Sequence, residues 1–311
     1  MKIVSLSPFI TQLLSHFGLA QNLAGVSGEC AVPDELSSIP RVAFSPQVDS
    51  FVPAAEYAGL RGLFGDLQVD FARLIEIAPE LLIAHIPGAR DNPSLLERVR
   101  LQVAQLLGES CRLVVYDPRT LENVFQTYEN LGRICGAPDK GLALAHRVRA
   151  QAMNWADNFY DRMKNKRVLV VTSLEPLAIG GLWIPDMIHM ASAVSLTLAG
   201  QDERPFDWGE VPAFRPDVIL VAPRGLGLKE CLRQFRFFEN FPEWEKLPAV
   251  KRGEVFFTDG SRYFNTPGPM MMESMGILIS AVAGFESGYI TERDVFYRQR
   301  WLELHRHRLE Q

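Results

Sequence analysis

Short apolar runs alternate with longer amphipathic stretches along the whole chain. This alternation predicts a parallel α/β architecture, because strands covered by helices on both faces are apolar throughout while the helices are apolar on one side. In the first half the predicted strands are Lys2–Ser7, Leu23–Val26, Glu80–His85 and Arg112–Tyr116, and the predicted helices are Thr11–Phe17, Phe71–Ile77 and Pro93–Leu107. In the second half the predicted strands are Arg167–Thr172, Asp217–Ala222 and Glu254–Thr258, and the predicted helices are Ile184–Ala193 and Pro267–Ala283.

Between the two halves lies a polar stretch without internal proline, in which apolar residues recur at helical spacing from Leu142 to Met163. A helix of about 25 residues here would be about 38 Å long. The fold class we predict is α/β, with two three-layer lobes built on parallel sheets and joined by one long connecting helix. The predicted segments are an N-terminal lobe at 1–138, the connecting helix at 139–166, a C-terminal lobe at 167–286 and a C-terminal helical tail at 287–311.

The net charge limits the kinds of partner that we expect this chain to bind. The net charge of −5 shows no basic excess, so we expect neither nucleic acid nor a membrane surface as a partner. No apolar run approaches the roughly 20 residues of a membrane-spanning helix. At the N-terminus Ser5, Ser7 and Pro8 interrupt the apolar stretch, which is atypical of a secretory signal and leads us to expect a cytoplasmic protein.

The four cysteines are scattered along the chain without a Cys-x-x-Cys pair. A zinc site needs clustered ligands, and a disulfide needs an oxidising compartment. We therefore expect buried free thiols for most of them and no bound metal ion.

Residues that follow the strands are candidates for a binding site, since ligands of open parallel sheets bind beyond the carboxyl ends of the strands. Several of these residues are aromatic and stand beside proline or glycine, which favours a pocket for a flat or bulky ligand. The wall residues we predict are Pro8, Glu29, Phe64, His85, Trp183, Phe206, Trp208, Arg224, Tyr263, Phe264 and Asn265. Core packing is the alternative for each aromatic residue taken alone.

Catalytic motifs are scarce. The sequence contains no Gly-x-Ser-x-Gly, no Gly-Lys-Ser/Thr phosphate loop and no His-Glu-x-x-His, so we expect no enzyme and assign no catalytic residue. His85 differs from the other histidines because it ends a predicted strand, and a ring nitrogen there could coordinate the metal of a ligand.

Several motifs carry a resemblance to a known family. They are Ile3-Val-Ser-Leu-Ser-Pro-Phe-Ile-Thr-Gln-Leu-Leu, Leu23-Ala-Gly-Val-Ser, Ala78-Pro-Glu-Leu-Leu-Ile-Ala, Arg215-Pro-Asp-Val-Ile-Leu-Val and Leu247-Pro-Ala-Val-Lys-Arg-Gly-Glu-Val-Phe. Over about residues 2–285 the chain resembles the ABC-transporter substrate-binding proteins that carry cobalamin and iron-siderophores. Trp183-Ile-Pro-Asp-Met and Tyr263-Phe-Asn-Thr-Pro-Gly-Pro are similar to a signal-less branch commonly labelled cobalamin-binding. The resemblance implies a ligand cleft between two α/β lobes.

One departure bears on transport. Members of the family that deliver a ligand use one acidic residue on each lobe to dock on permease arginines. The matching positions here are Ala72 and Gly209, with Glu76 and Glu210 close by but out of register. Because paired acids fix the docking geometry, we expect docking on a permease to be impaired.

The function we predict is non-catalytic binding of cobalamin, another corrinoid or a different bulky metal chelate. Three alternatives stay open. The chain could be a transporter component, or an enzyme that processes the chelate with Glu29, His85 and Asp259 as acid–base groups. It could also be a regulatory protein whose tail at Ser287–Gln311 docks a partner.

Overall fold

A computed structural model describes residues 1–45, 54–207, 209–234 and 243–284, together with the backbone of 296–299. The chain divides into two compact units. Unit 1 comprises Met1–Asp117 and Thr127–Gly141, and unit 2 comprises Pro118–Gln126 and Leu142–Gln311.

Unit 1 is built on a six-stranded sheet with the order β4-β3-β2-β1-β5-β6, and among its described strands the β3–β4 pairing is antiparallel while the others are parallel. Its strands are β1 (Ile3–Ser5), β2 (Leu23–Ser27), β3 (Arg41–Phe44), β4 (Gln68–Val69), β5 (Leu81–His85) and β6 (Arg112–Tyr116). Its helices are α1 (Pro8–His16), α2 (Phe71–Ile77) and α3 (Pro93–Leu107).

The helices of unit 1 begin at local signals in the sequence. Asp70 precedes α2, and its Oδ1 accepts a hydrogen bond from the backbone N–H of Arg73 at 3.0 Å. Asn92 does the same for α3, where Pro93 occupies the first helical turn. Because such residues satisfy backbone N–H groups that a helix start leaves unpaired, the bounds predicted for both helices agree with the observed ones.

Unit 2 is built on a seven-stranded sheet with the order β10-β8-β7-β11-β12-β13, and β9 pairs with the start of β7. The β7–β11 and β11–β12 pairings are parallel, whereas β8, β10 and β13 join antiparallel. Its strands are β7 (Arg167–Leu174), β8 (Leu177–Ile179), β9 (Val194–Ser195), β10 (Arg204–Pro205), β11 (Val218–Val221), β12 (Val255–Thr258) and β13 (Phe296–Gln299). Its helices are α6 (Ile184–Met190), α7 (Glu210–Phe214), α8 (Leu228–Gln234), α9 (Pro248–Arg252) and α10 (Met271–Ala283).

Two helices contribute residues to both units. They are α4 (Leu121–Ile134), which the sequence analysis did not predict, and α5 (Pro138–Met163). The unbroken 26-residue helix α5 confirms the predicted long helix and ends three residues before the expected Lys166. The predicted α/β class is likewise confirmed, with parallel pairing at the centre of both sheets and antiparallel strands added at their edges.

The predicted helical tail requires a correction. Within 287–311, the structure describes the backbone of Phe296–Gln299, and these residues form a strand rather than a helix. The strand pairs antiparallel with β12, so that it satisfies backbone groups which β12 would otherwise leave open at the edge of the sheet. The rest of the tail lies outside the described residues.

Apolar residues of the strands form the core of each sheet. In unit 1 they include Val4, Leu82 and Val42, and in unit 2 they include Leu169, Ile219 and Phe257. All four cysteines are buried free thiols, as predicted. Burial raises the pKa of Cys135 to about 11, so this thiol stays protonated at neutral pH.

Across the described ranges, no helix combines the length and the apolar character that a membrane span requires.

Candidate ligand-binding site

His85 lies at the carboxyl end of β5, at the position expected for a ligand-binding residue of a parallel sheet. Its imidazole packs edge-on against the ring of Phe9, with 5.5 Å between ring centroids. Its Nε2 lies 4.0 Å from Oδ1 of Asp117, which follows β6. The His85 side chain is 34% exposed and the Asp117 side chain only 7%, so a half-exposed imidazole lies beside a buried carboxylate.

We call Pro8, Phe9, Glu29, His85 and Asp117 the first rim, because each ends or comes after one of the strands of unit 1. Pro8 is half-buried and opens α1, while Glu29 is exposed in the loop after β2. Both remain available for the predicted ligand contact.

Beneath the first rim, small polar side chains are hydrogen-bonded to each other. The hydroxyl of Thr11 donates to Ser5 Oγ at 2.9 Å, and Ser27 Oγ lies 3.0 Å from Cys30 Sγ. Arg41 Nη1 donates to the Cys30 carbonyl at 2.6 Å. These bonds fix the loop that carries Glu29, and burial raises the pKa of the Cys30 thiol.

Phe64, in contrast, belongs to the core of unit 1. Its side chain is 2% exposed, and its ring centroid lies 6.5 Å from that of Phe71. The predicted ligand contact of Phe64 remains a prediction, whereas its packing role is observed.

In unit 2, the two motifs that carried the cobalamin-branch resemblance contact each other directly. The indole Nε1 of Trp183 donates a hydrogen bond of 2.9 Å to the backbone carbonyl of Phe264. The N–H of Phe264 in turn donates to Ser274 Oγ at 3.2 Å. Trp183 and Phe264 are both buried, and Phe264 has a left-handed backbone with φ of 67°.

Asn265 ties neighbouring loops of the same sheet together. Its side-chain Nδ2 donates to the carbonyls of Ala222 at 2.8 Å and Gly260 at 2.9 Å. Gly260 is required at this point, because a Cβ there would lie 2.0 Å from the carbonyl oxygen of Pro223. The donor end of the Asn265 amide is therefore used inside the protein, and its predicted contact with a ligand remains untested.

Arg224 follows β11 and forms an ion pair that the sequence analysis did not foresee. Its Nη2 lies 3.2 Å from Oε2 of Glu203, and the same oxygen accepts a 3.0 Å hydrogen bond from the buried hydroxyl of Thr172. Arg224 is mostly exposed, so the guanidinium can still reach a ligand while Glu203 holds its position. We call Thr172, Glu203, Arg224, Gly260 and Asn265 the second rim.

The remaining predicted aromatic residues are part of the interior of unit 2 or cannot be placed. Tyr263 is buried, and Phe206 packs in the core cluster with Leu174 and Trp244. Trp208 lies outside the described residues. The aromatic wall residues predicted in unit 2 whose side chains are described, namely Trp183, Phe206, Tyr263 and Phe264, are thus all buried.

A different cation of unit 2 is held more firmly. Arg119 donates from Nε to the Gly200 carbonyl at 2.8 Å and from Nη2 to Asp202 at 3.1 Å. Two residues later, the N–H of Leu121 donates to Asp186 Oδ2 at 2.9 Å, which caps the start of α4. Asp186 belongs to the Trp183-Ile-Pro-Asp-Met motif. Two residues of this motif, Trp183 and Asp186, therefore make hydrogen bonds to distant parts of the chain.

Asp117 and Phe9 both come after predicted strands, Arg112–Tyr116 and Lys2–Ser7, but neither was selected, and Thr172 and Glu203 were missed. The position of Asp117 after β6 was a usable signal. Glu203 carried none, because it reaches the second rim only through the antiparallel pairing of β10 with β8. Among the described residues, no group of three His, Cys, Asp or Glu side chains is arranged to hold a metal ion by itself.

A sequence profile of the periplasmic binding protein family matches residues 3–261. The chain belongs to the periplasmic binding protein family. The match ends within the loop after β12, so α10 and β13 extend beyond the part that the profile describes.

Relatives of this family member are distant but cover most of it. The uncharacterized ABC transporter substrate-binding lipoprotein YvrC of Bacillus subtilis (strain 168) is 19% identical over 283 residues, which are 90% of this chain and 79% of that protein. The vitamin B12-binding protein of Photorhabdus laumondii is 21% identical over an alignment that covers 78% of this chain and 75% of that protein. Among solved structures, the periplasmic heme binding protein from Pseudomonas aeruginosa matches with a TM-score of 0.67 at 16% identity, covering 96% of this chain and 98% of that one.

Proposed function

We propose that this member of the periplasmic binding protein family binds a bulky metal chelate, of the corrinoid or heme type, without transforming it. Relatives and structural neighbours named for vitamin B12 and for heme support this class of ligand. The coarser conclusion, a substrate-binding protein, rests on the family match over 3–261.

The observation that carries the proposal is the environment of His85. The imidazole of His85 is 34% exposed at the end of β5, and Oδ1 of Asp117 lies 4.0 Å from its Nε2. A carboxylate near one ring nitrogen orients a histidine whose other nitrogen binds a metal. Corrinoids and hemes both carry a metal centre that accepts an imidazole nitrogen, and Phe9 adds an apolar wall beside it.

Binding without catalysis fits the roles of the acid–base candidates. Asp259 accepts hydrogen bonds from the N–H of Ser261 at 2.9 Å and from the Ser261 hydroxyl, so its carboxylate holds a turn. Glu29 lies in the loop after β2 and His85 ends β5, so both lie where the ligands of a parallel sheet bind. The proposal therefore assigns these groups to ligand contact rather than to proton transfer.

The test is an absorption titration of the full chain with hydroxocobalamin and with hemin, followed by native mass spectrometry. We expect saturable binding of one chelate and a shift of its absorption band that reports a nitrogen ligand. The variant His85→Gln should lose that shift, whereas His146→Gln, an exposed histidine on α5, should keep it. If neither chelate binds saturably, the proposed ligand class is wrong.

A role as the binding component of an ABC transporter is the second candidate, and the name of the Bacillus subtilis relative favours it. The acidic residues near the expected docking positions decide between carriage to a permease and another use of the bound chelate. The cytoplasmic location expected from the N-terminus remains a prediction.

A further inference from the structure

A cavity of about 310 Å³ lies at the amino ends of the parallel strands of unit 2. Its walls come from the residues that immediately precede β7, β11 and β12, together with the start of β11 and the end of α9. Arg224, Gly260 and Asn265 of the second rim come after the opposite, carboxyl ends of β11 and β12. The cavity is therefore separate from the candidate chelate site, and an inference about it does not rest on the function proposed above.

Charged side chains dominate the cavity. Lys164, Lys166 and Arg252 supply positive charge, and Asp217 and Glu254 supply negative charge. A second arginine, Arg167, adds to the positive side because it binds Asp217 from the start of β7. Lys164 is itself paired with Asp161 at 2.6 Å, so these cations outnumber the carboxylates of Asp217, Glu254 and Asp161 by one.

The carboxylate of Asp217 is already occupied by guanidinium groups. Its Oδ2 accepts from the backbone N–H of Arg167 at 2.9 Å and from Arg167 Nε at 3.2 Å. Its Oδ1 accepts from Arg252 Nη2 at 3.0 Å. One carboxylate shared by two arginines neutralises at most one of them, so positive charge is left over at the mouth of the cavity.

The positive charge of Lys166 is offset less by direct contact with carboxylates than the charges of the other cations are. Its side chain is half-buried, and its Nζ donates a 2.6 Å hydrogen bond to a neutral group, the backbone carbonyl of Val282. Burial lowers the pKa of Lys166, even though Glu254 and Asp217 act in the opposite direction. An ammonium carries three donors, so it can serve an anion in addition to the Val282 carbonyl.

We infer that this cavity binds a small phosphate-bearing molecule, with Lys166 as the main group that binds the phosphate oxygens and Lys164, which Asp161 holds at 2.6 Å, as a second positive charge beside it. A phosphate monoester carries close to two negative charges and several strong acceptor oxygens, which matches an excess of cations better than a single carboxylate does. The cavity has the volume of a small-molecule site at the lower end of the usual range. It suits pyrophosphate or a small phosphorylated metabolite rather than a tetrapyrrole.

The experiment is calorimetric titration of the full chain with pyrophosphate and with inorganic phosphate, at low and at moderate salt. We expect saturable binding that weakens with salt, because the interaction is largely electrostatic. Lys166→Met, which keeps most of the aliphatic stem, should weaken binding by roughly tenfold or more, as expected for one charge-assisted hydrogen bond. Lys229→Met, an exposed lysine on α8 outside the cavity, is the matched control and should bind like the unmodified chain.

A second variant and a chelate-binding control also test the proposed phosphate site. Lys164→Met removes an exposed cation of the same cavity, so it reports on the site even if Lys166→Met fails to fold. Chelate binding should be unchanged in both variants. No saturable phosphate or pyrophosphate binding up to about 1 mM, or equal binding in the unmodified chain and a folded Lys166→Met variant, would overturn the inference.

Discussion

The indole N–H of Trp183 and the carbonyl of Phe264 are joined by a buried hydrogen bond of 2.9 Å, across 81 residues of sequence. The bond holds a non-glycine residue in a left-handed conformation, which is costly without support from its surroundings. It also couples the start of α6 to the loop after β12. The position of the second rim therefore depends on a contact between two motifs far apart in the chain.

Replacing Trp183 by phenylalanine keeps an aromatic ring but leaves the Phe264 carbonyl without this donor. We expect the free energy of unfolding to fall by about 1–3 kcal/mol, the cost of an unsatisfied buried polar group. Urea denaturation followed by circular dichroism measures it. Tyr160→Phe, an exposed aromatic residue on α5, serves as the control and should change stability by less than about 0.5 kcal/mol.

The affinity for a chelate tests a second role of Trp183, contact with the ligand. If its indole also contacts the ligand, as the sequence predicted, Trp183→Ala should reduce affinity by roughly 1–3 kcal/mol. A smaller effect in a folded variant would restrict Trp183 to its structural role. The corresponding replacement, Trp208→Ala, tests a residue that lies outside the described part of the chain.

Gly260 and Gly227 form a matched pair for testing the second rim. A Cβ on Gly260 would meet the Pro223 carbonyl oxygen at 2.0 Å, whereas a Cβ on Gly227 has its nearest neighbour at an ordinary 3.8 Å. Gly260→Ala should therefore displace the loop held by Asn265 and destabilise the protein by about 1–3 kcal/mol or more, as overpacking does. Gly227→Ala should be tolerated. Thermal denaturation of both variants decides the point, and equal melting temperatures would contradict it.

The pH dependence of stability should report on Asp217. Burial by itself would raise the pKa of this carboxyl group, but hydrogen bonds from Arg167 and Arg252 outweigh burial and lower the pKa below its usual value. A lowered pKa in the folded state means that the ionised carboxylate stabilises the protein at any pH above the unfolded pKa of about 3.9. This contribution is lost as the pH falls through the folded-state pKa.

Asp217→Asn should accordingly reduce the free energy of unfolding at pH 7 by about 1–3 kcal/mol, as for a hydrogen bond to a charged group. The difference from the unmodified chain should stay constant between about pH 7 and 5 and shrink below about pH 4. Asp161→Asn is the comparison, because Asp161 is exposed and its pair with Lys164 contributes little. A difference that grew towards acid pH would contradict the assignment.

How far the sequence could predict the molecule depends on where the determining contacts lie. The bounds of α2, α3 and β6 were predicted correctly, because caps, Pro93 and an apolar run specify them locally. Helix α4 was missed although Thr120 before it is a local start signal, since its Oγ1 accepts a hydrogen bond from the N–H of Asn123 at 3.2 Å. The second cap of this helix comes from Asp186, 65 residues further along the chain, and that contact could not be predicted locally.

The same distinction between local and tertiary determinants applies to the candidate site. His85 could be selected because a histidine at the end of an apolar run stands out, and the structure leaves it half-exposed at that end. Phe64, Phe206 and Phe264 could not be separated from core residues, since an aromatic residue beside proline or glycine fits either a pocket wall or the core. Only packing settled that these three side chains are buried.

The last prediction concerns delivery to a permease. Ala72, at the expected docking position of unit 1, is exposed on α2, and Glu76 lies one helical turn away, about 6 Å along the axis. At the expected position of unit 2, Gly209 is followed by Glu210, whose carboxylate is held by Arg204 at 2.5 Å. The guanidinium also lowers the pKa of Glu210, and a permease arginine would have to displace it.

We therefore expect the chain, given a secretion signal, not to support uptake of labelled cobalamin through a cobalamin permease in cells that lack their own binding protein. The double variant Ala72→Glu with Gly209→Glu should raise uptake, because it adds one carboxylate at each docking position. Ala72→Gln with Gly209→Gln adds side chains of the same length without charge and should not. Uptake by the unmodified chain near the level of a genuine periplasmic partner would show that Glu76 and Glu210 suffice for docking, and it would make transport the preferred function. Absence of uptake from a chain that binds cobalamin when purified would instead leave carriage or sensing of the chelate, because ligand binding would then be present while the charge pairing that directs it to a permease is missing.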